Sequence, residues 1–512
     1  MQLPIVLDGS EKATLQNQIF DQIRSMIIRG QLKIGDPLPA TRELSSQTGV
    51  SRNTAVLAYE RLIAEGYVQT RPYVGTYVAA TAPHTKYPSA VRCDFDSSEA
   101  DRRSIVDESN DDHAAPPRIH SLVNRRRRRL IADFWVGRSD PNSFPLKAWS
   151  QLIWNRLKTA GAALTEYNDP AGLPELRQAI ADHLGPARGV IAEPDQVVIV
   201  GGCQDGFNLL ARLLVRPGSP AVVESPCYQG AAYVLESFGA QLYPVPVDHE
   251  GLDVAKLPQV EGAVAYVTPS HQYPTGVTLS LRRRIALLSW ATEHGAYVVE
   301  DDYDSDFRFV GSPFTALKGL DRGERVIYMG TFSKCMGPGL RLGYVVLPRR
   351  LVDGANRLKT LMNNGQGWLE QAAMADFMAS GGFGRHLRRI RQLYHSRRDA
   401  LLAAMEKHFG ACEVLGDQGG MHLAWRLPEG FPKASDVEAR ALDAGVGVYA
   451  LAAGAAIHFG PDDESDRFLV LGFAALTERE IEAGVARLAS ALQGDRRPRD
   501  ITAAMRSKQE AL

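Results

Sequence analysis

The pattern that most constrains the fold is an alternation of short apolar segments with stretches of helical periodicity along most of the chain. Six apolar segments predict β-strands, at residues 196–200, 221–224, 262–268, 297–300, 325–329 and 342–347. Turn residues or a helix-like segment follow each one, as in a mainly parallel sheet covered by helices. We therefore predict an α/β domain over residues 131–492, with ligands beyond the carboxyl ends of its strands.

Residues 1–80 follow a different pattern, of helices and then a short hairpin. Apolar residues recur at helical spacing from Leu15 to Ile27, and glycines and a proline then end that helix. A short helix begins near Thr41, Gly49 makes a turn, and a second helix begins after Ser51. Two β-rich segments, 67–70 and 75–79, complete a predicted winged helix-turn-helix of the α+β class.

The start of the second helix is the candidate DNA-contacting segment. Ser51 is a good N-cap, so Arg52, Asn53 and Thr54 lie on the first turn, which in a recognition helix reaches bases and phosphates. The full predicted DNA-binding set is Arg42, Ser51, Arg52, Asn53, Thr54, Arg71 and Gly75. The alternative is that the arginines are ordinary solvated helix charges.

Composition limits the remaining possibilities. The chain has 512 residues, too many for one core, and a net charge of −1, so any DNA affinity must come from local patches and from two copies acting together. The five cysteines have no metal-like spacing and are expected to be free, and no metal is expected. No signal peptide or membrane-spanning segment is evident, so we expect a soluble, cytoplasmic protein.

Two segments predict no packed core. Residues 81–130 are rich in Pro, Ser, Asp and Glu and are predicted to be a flexible linker, and residues 493–512 a polar tail. A flexible linker of about fifty residues has a root-mean-square end-to-end distance of roughly 40 Å. The linker ends in Arg125 to Arg129, which are either a solvated charge run or an auxiliary phosphate contact.

The segment 330–344 carries the strongest chemical signal. Lys334 can form an imine with an aldehyde, while Thr331, Ser333 and Arg341 supply hydroxyls and a guanidinium for a phosphate. An amine and a phosphate clamp at this spacing suit a phosphorylated aldehyde, and we infer pyridoxal 5'-phosphate.

Other strand ends supply the remaining cofactor candidates. Gly202, Cys203 and Gln204 begin a helix whose amides can take a phosphate, and Tyr228 could stack on a pyridine ring. After the strand at 297–300, one carboxylate can keep a pyridine nitrogen protonated, and Tyr303 can bond a phenolic oxygen. His271, in the loop after another strand, is interpreted as structural.

Together these motifs resemble a known family over nearly the whole chain. Residues 15–78 resemble the GntR winged helix, and residues 134–492 resemble the fold-type I aminotransferases, through Tyr-Asn-Asp-Pro-Ala-Gly, Ser-His-Gln-Tyr-Pro-Thr-Gly and Gly-Thr-Phe-Ser-Lys. The combination resembles the MocR/GabR regulators that depend on pyridoxal phosphate. The resemblance implies Lys334 as the imine lysine, Asp301 rather than Asp302 at the pyridine nitrogen, and Tyr303 at the phenolic oxygen. It also implies a head-to-tail homodimer that binds double-stranded operator DNA.

The sequence departs from the aminotransferase pattern at two positions. Tyr273 stands where the enzymes carry an asparagine toward the cofactor's phenolic oxygen, and Val470 stands where an arginine pairs with the substrate carboxylate. Arg467 is the nearest replacement for that arginine by sequence. At the wing, residues 71–76 depart from the usual Gly-Ser-Gly-Thr, although Gly75 remains.

These departures order the functional hypotheses. The leading one is a transcriptional regulator that senses a small amine, an amino-acid-like ligand or pyridoxal phosphate itself. The alternative is an active aminotransferase or racemase with a fused DNA-binding domain. A third hypothesis treats the lysine site as vestigial and the large domain as a dimerisation platform.

Overall fold

A computed structural model describes residues 3–7, 14–64, 67–71, 75–79, 130–310, 314–451, 455–460 and 465–493. The chain divides into two compact units, Met1–Asp112 and His113–Leu512. Most of the predicted linker, at residues 81–129, lies outside the described residues, and so do Arg125 to Arg129. The predicted tail lies outside them from residue 494 onward.

The N-terminal unit is a winged helix-turn-helix. Its elements are α1 (Leu15–Ile28), α2 (Thr41–Thr48), α3 (Arg52–Ala64), β1 (Val68–Arg71) and β2 (Gly75–Val78). Ile19, Ile23 and Leu62 are fully buried between the helices, as the apolar spacing predicts. Gly49 takes the left-handed conformation at φ 70° between α2 and α3, and β1 and β2 pair antiparallel. The predicted element order is therefore confirmed.

The C-terminal unit alternates strands and helices as predicted. Its helices are α4 (Leu146–Thr159), α5 (Pro174–Arg188), α6 (Cys203–Leu214), α7 (Gln229–Ser237), α8 (Leu281–Glu293), α9 (Leu317–Leu320), α10 (Arg349–Asn363), α11 (Trp368–Ala379), α12 (Gly382–Phe409), α13 (Ala434–Asp443) and α14 (Glu478–Gln493). Its strands begin with β3 (Ala132–Asp133), β4 (Val197–Val200), β5 (Pro220–Ser225), β6 (Cys227–Tyr228), β7 (Gln241–Asp248), β8 (Gly251–Leu252), β9 (Val264–Val267), β10 (Tyr297–Asp302), β11 (Val326–Thr331) and β12 (Gly343–Val346). They continue with β13 (Glu413–Leu415), β14 (His422–Arg426), β15 (Val446–Gly447), β16 (Tyr449–Ala450), β17 (Ala456–Ile457) and β18 (Phe468–Gly472).

The large sheet has the order β4-β12-β11-β10-β9-β5-β7-β8. Strands β7, β5, β9, β10 and β11 pair parallel, whereas β12 is antiparallel to both of its neighbours, β11 and β4. The carboxyl ends of β4, β5, β9, β10 and β11 consequently share one edge, where β12 begins. All six predicted strands occur, with bounds shifted by up to two residues, and the sequence analysis missed β7 and β8.

Apolar strands buried on both faces explain why the large sheet is covered by helices. Every residue of β4, β9 and β12 is buried. One layer packs α5 and α11 on the sheet around Ile180 and Ile199, and the opposite layer packs α6 around Leu210 and Met329. Near-continuous apolar runs of this kind are typical of a parallel sheet.

A second, antiparallel sheet was not predicted. It has the order β13-β14-β18-β16 and lies in the C-terminal part of the unit. Its strands are two to five residues long, with the sequences Glu-Val-Leu, His-Leu-Ala-Trp-Arg, Tyr-Ala and Phe-Leu-Val-Leu-Gly. The sheet matters because His422 and Val470 belong to it.

The structure bears on two further expectations. Cys203, Cys227, Cys335 and Cys412 are free, as expected, and Cys93 lies outside the described residues. Among the described helices, none combines the length and the apolar character needed to cross a membrane.

A buried ion pair joins α5 to β10. The Arg188 guanidinium donates to Asp302 Oδ2 at 2.7 Å, to the Phe314 carbonyl at 2.7 Å and to Ser270 Oγ at 2.6 Å. The Arg188 and Asp302 side chains are only 5% and 1% exposed. Removing one partner of such a pair leaves an uncompensated buried charge.

We expect Arg188→Met to lower the free energy of unfolding by about 3–5 kcal/mol, because Asp302 would remain buried without its cation. Urea denaturation of the full chain, followed by tryptophan fluorescence, measures the change. Arg212→Met, at an exposed position on α6, is the matched control and should change stability by less than about 0.5 kcal/mol. Equal losses in the two variants would show that the pair does not stabilise the fold.

Candidate functional site

A cavity of about 490 Å³ lies at the carboxyl edge of the large sheet. The predicted cofactor residues that line it are Cys203, Gln204, Tyr228, Tyr273, Asp301, Tyr303, Thr331, Ser333, Lys334 and Arg341. Gly202 lies directly behind Arg341. The structure thus brings the whole predicted cofactor set together, from the ends of five strands and the start of β12.

Lys334 lies in the loop after β11, and its amine lies close to the backbone of Gly137. Lys334 Nζ donates to the Gly137 carbonyl at 3.3 Å, and a Cβ added at Gly137 would lie 2.7 Å from that nitrogen. Ser139 Oγ donates to the carbonyls of Ser333 and Lys334 at 3.1 and 3.0 Å. Gly137 and Ser139 position the lysine, and the sequence analysis missed both because they precede every predicted strand of the α/β domain.

The helix start at α6 and the arginine before β12 form an anion cradle. Gly202 caps α6 with φ 96°, and the first N–H groups of a helix have no intrahelical acceptor. A Cβ at Gly202 would lie 3.2 Å from Arg341 Nη2, a tight contact, and its φ of 96° favours glycine. Thr331 Oγ1, which accepts from the Ser333 N–H at 3.1 Å, lies in the same part of the cavity. This donor set fits a phosphate.

The two aspartates of β10 have separate surroundings. Asp301 lines the cavity, where the Tyr266 hydroxyl donates to its Oδ2 at 3.1 Å and the Cys203 thiol approaches Oδ1 at 3.7 Å. Burial raises the pKa of Asp301 to about 7. A protonated pyridine nitrogen would supply the opposite charge that favours its ionised form. Asp302 instead pairs with Arg188, so Asp301 is the carboxylate available to a ligand.

Three tyrosines enclose the cavity. The Tyr273 ring meets the rings of Tyr228 and Tyr303 edge-on, at centroid distances of 5.9 and 6.2 Å. The Tyr228 hydroxyl donates to Gln204 Oε1 at 3.4 Å. Burial raises the pKa of all three hydroxyls, which therefore remain protonated donors near neutral pH.

His271 belongs to a buried polar cluster behind Tyr303. Its Nδ1 lies 2.9 Å from Asp304 Oδ2, and its Nε2 lies 3.3 Å from the Gly416 carbonyl. Burial lowers the pKa of His271, but the Asp304 carboxylate outweighs burial and the net shift is upward. The Asp304 carboxylate and the Gly416 carbonyl both accept hydrogen bonds, and Asp304 and His422 lie near enough to His271 to form a group of three possible metal ligands. The structural interpretation of His271 fits these contacts.

The cavity wall at Val470 is apolar. Val470 is 3% exposed and packs with Tyr273, Leu451 and Ala456. Arg467, considered as a replacement for the missing arginine, lies just before β18 rather than within it. Its guanidinium donates to the Leu427 carbonyl at 2.8 Å and does not line the cavity. The sequence left open whether Arg467 replaces that arginine, and this backbone contact holds its side chain away from the cavity.

His422 is a cavity residue that the sequence analysis missed. It is fully buried, and its Nε2 lies 3.1 Å from the Pro274 carbonyl. Its Nδ1 has no hydrogen-bond partner among the described residues. Burial first, and then the charge of His271, lower the pKa of His422 well below its ordinary value. The available signal was a histidine within an apolar stretch, which reads equally well as ordinary core.

The predicted DNA-contacting residues of the N-terminal unit lie at the start of α3 and around it. The Thr54 N–H donates to Ser51 Oγ at 3.1 Å, so Ser51 caps α3 as predicted. Arg42, Arg52 and Asn53 are exposed, and Gly75 begins β2 with φ 132°. Arg71 ends β1. The structure therefore leaves the first turn of α3 open to a ligand.

Two known families match the chain, one over the winged helix-turn-helix and one over the α/β domain. Residues 15–78 match the family described as bacterial regulatory proteins, gntR family. Residues 137–488 match the family described as aminotransferase class I and II.

Several relatives match most of the chain. The chain is 35% identical, over 95% of each sequence, to the probable rhizopine catabolism regulatory protein MocR of Rhizobium meliloti. It is 34% identical to the pyridoxine biosynthesis transcriptional regulator PdxR of Corynebacterium glutamicum, over 77% of this chain and 80% of the relative. Among solved structures, a Pyrococcus horikoshii kynurenine aminotransferase is 28% identical with a TM-score of 0.65, over 72% of this chain and 92% of that one.

The contact between Gly137 and Lys334 generates a prediction. We expect Gly137→Ala to weaken binding of pyridoxal phosphate about tenfold, or ~1.4 kcal/mol, because the added methyl group displaces the Lys334 amine. Titration of the apoprotein, followed by the absorbance of the bound cofactor, measures the affinity. Gly218→Ala is the matched control, since Gly218 has nearly the same φ, 83° against 82°, with no atom near its Cβ. Equal weakening in both variants would assign the effect to backbone strain.

Proposed function

This chain belongs to the MocR family of DNA-binding transcriptional regulators, and we propose that its aminotransferase-type domain holds pyridoxal phosphate as the sensing element for a small ligand. The ligand is a small amine, an amino-acid-like molecule or pyridoxal phosphate itself. The observation that carries the proposal is the convergence of Lys334, Arg341 and Asp301 on one cavity in a chain that also carries a helix-turn-helix.

The cavity residues divide the work of holding the cofactor. Bound pyridoxal phosphate supplies an aldehyde carbon that reacts reversibly with amines. Lys334 presents its amine there, and Arg341 with the first turn of α6 neutralises the phosphate. Asp301 holds a proton at the pyridine nitrogen, and Tyr303 donates to the phenolic oxygen. Tyr228 and Tyr273 enclose the ring and exclude water.

Two side chains favour sensing over catalysis. Val470 leaves this cavity wall without the cation that holds a substrate carboxylate in the enzymes of this fold. Tyr273 replaces a small amide donor with a bulky aromatic side chain. A carboxylate brought into such a site without a cationic partner incurs a desolvation cost that apolar contacts do not recover. Steady-state assays with amino-acid and keto-acid mixtures should therefore show negligible turnover.

The exposed first turn of α3 supports the DNA-binding half of the proposal. Arg52 and Asn53 stand free at the helix start, where a recognition helix meets the major groove. Because the net charge of the chain is −1, a single head has little long-range attraction for DNA, and we propose that a homodimer binds a two-part operator.

An apolar outer face on α4 supports dimerisation of the large domain. Leu146, Trp154 and Leu157 are 68%, 56% and 41% exposed and lie on one side of the helix, while Trp149 faces the core. Tyr167, in the loop that follows, is 89% exposed. We propose that a second copy covers this face in a head-to-tail dimer, since exposed apolar patches of this kind mark interaction surfaces.

Lys334→Ala should abolish the covalent attachment of pyridoxal phosphate while the protein stays folded. The purified protein should be yellow, and borohydride should fix the cofactor to Lys334, as mass spectrometry of a digest would show. Lys256→Ala, at an exposed lysine, is the control and should keep the cofactor absorbance. Attachment at another lysine, or none in the unmodified protein, would overturn the assignment.

Arg52→Ala should weaken operator binding while leaving the cofactor absorbance unchanged. Loss of a base contact would cost about 1–3 kcal/mol for the specific operator only, whereas loss of a phosphate contact would weaken all duplexes and reduce the salt dependence. Fluorescence anisotropy at several salt concentrations distinguishes the two. Arg29→Ala, at an exposed arginine beyond α1, is the control. Unchanged affinity for every duplex would remove α3 as the recognition helix.

A further inference from the structure

The second turn of the candidate recognition helix carries apolar side chains that reach solvent. Val56 and Leu57 lie in this turn of α3, where Val56 is half-buried and Leu57 is 39% exposed. The residues that α3 contributes to the apolar core of its unit are Ala55, Ala58, Tyr59 and Leu62. Among the described residues, Val56 and Leu57 lie outside that core. The core therefore does not account for an apolar second turn.

Val56 shares a face of α3 with the predicted DNA-contacting residues. In an α-helix, side chains three and four residues apart lie one above the other. Val56 comes four residues after Arg52 and three after Asn53, both of which are exposed on the first turn. Leu57 comes four residues after Asn53 alone and lies further round the helix. A recognition helix that places Arg52 and Asn53 against base edges therefore brings Val56 to the next bases of the groove.

Beyond Val56, the charges of α3 do not suit the DNA backbone. The Arg61 guanidinium lies 3.9 Å from the centroid of the Phe20 ring and donates to Asn17 Oδ1 at 3.0 Å, so it is directed at α1. Glu60, four residues after Val56, is exposed, and its carboxylate would repel phosphates. The face of α3 that meets DNA thus has a polar first turn and an apolar second turn.

The edge of a base pair in the major groove has one apolar feature, the C5 methyl group of thymine. The other groups on that edge donate or accept hydrogen bonds, which a valine side chain cannot form. 5-Methylcytosine places the same methyl group in the groove. One helical turn rises about 5.4 Å and successive base pairs are about 3.4 Å apart, so this methyl group would lie within about two base pairs of the first-turn contacts.

We propose that Val56 contacts the C5 methyl group of a pyrimidine in the major groove of the operator. This inference rests on the operator binding proposed above and assigns a specificity-determining residue to it. Arg52 and Asn53 supply hydrogen bonds to the bases, and Val56 adds discrimination against a base without the methyl group. Thymine and 5-methylcytosine are the two sources of that group, and duplexes that contain one or the other distinguish them.

The methyl group can be removed from the DNA without changing the protein. A duplex is first selected from a random library with the full-chain protein. Each of its thymines is then replaced singly by deoxyuridine, which lacks only the methyl group, and each cytosine singly by 5-methylcytosine. Fluorescence anisotropy measures each affinity. We expect deoxyuridine at one or more positions to weaken binding about fourfold, the change expected when one buried methyl group is lost.

Variants assign the methyl preference to the residue. Val56→Ala should bind the thymine and uracil duplexes equally, because the shortened side chain no longer reaches the methyl group. Val56→Thr keeps one of the two methyl groups of valine and should retain part of the preference, which covers the case in which the alanine variant does not bind. Ile63→Ala, at a 41% exposed position near the end of α3, is the matched control and should retain all of it. Because each preference is a ratio within one protein, differences in active fraction cancel.

The outcomes separate the inference from the proposed function. A uracil penalty or a 5-methylcytosine gain that Val56→Ala abolishes would support the inference and identify the source of the methyl group. Equal affinity for every substituted duplex would overturn it. So would a methyl preference that survives Val56→Ala, or one that Leu57→Ala abolishes instead. In those cases the protein still binds its selected duplex, and the proposed function stands. Failure to select any preferred duplex would instead remove the operator binding.

Discussion

The antiparallel strand β12, inserted between the parallel strands β4 and β11, fixes the geometry of the whole site. Its first residue pairs with Val200 on one side and with Thr331 on the other. Arg341, two residues earlier, is thereby held between the start of α6 and the lysine loop, and Gly202 lets its guanidinium approach. A parallel strand in this place would begin at the far edge of the sheet. The phosphate cradle would then lack its arginine, and the lysine would face an open edge.

Each charged side chain in and around the cavity has its own partner, either an oppositely charged side chain or a group of the cofactor. Asp302 turns away from the cavity to Arg188, which leaves Asp301 as a buried carboxylate whose pKa is raised to about 7. Such a carboxyl is poised to ionise when a cation arrives. Lys334 and Arg341 are the residues that we assign to the aldehyde and the phosphate, and Val470 is apolar. The site therefore favours a ligand that brings one positive and one negative group in a fixed relation, as pyridoxal phosphate does.

The large sheet and its strand-end residues could be predicted from the sequence because each apolar strand ends in a short polar motif. The winged helix-turn-helix could also be predicted, because Gly49, Ser51 and the apolar spacing of α1 are local signals. The sequence could not predict the roles of Tyr266, Gly137 and His422, because these roles arise from contacts between residues that are 35 or more positions apart. The sequence could not decide the role of Arg467 for the same reason, because its guanidinium donates to the carbonyl of Leu427, forty residues away in sequence. In the small sheet, β13 and β16 are too short to show a period, whereas β14 and β18, at five residues each, are longer than the predicted strands β4, β9 and β12 and were nevertheless missed.

The pairing of β14 with β18 has a consequence for how such regulators diverge. His422 lies opposite Gly472, and Val470 lies opposite Ala424, two residues along the same face. His422 and Val470, which line the cavity, thus come from the small sheet, whereas Lys334, Arg341 and Asp301 come from the edge of the large one. Substitutions in two short strands can change which molecule is recognised without disturbing the residues that retain the cofactor. A lineage could in this way acquire new signals while conserving its chemistry.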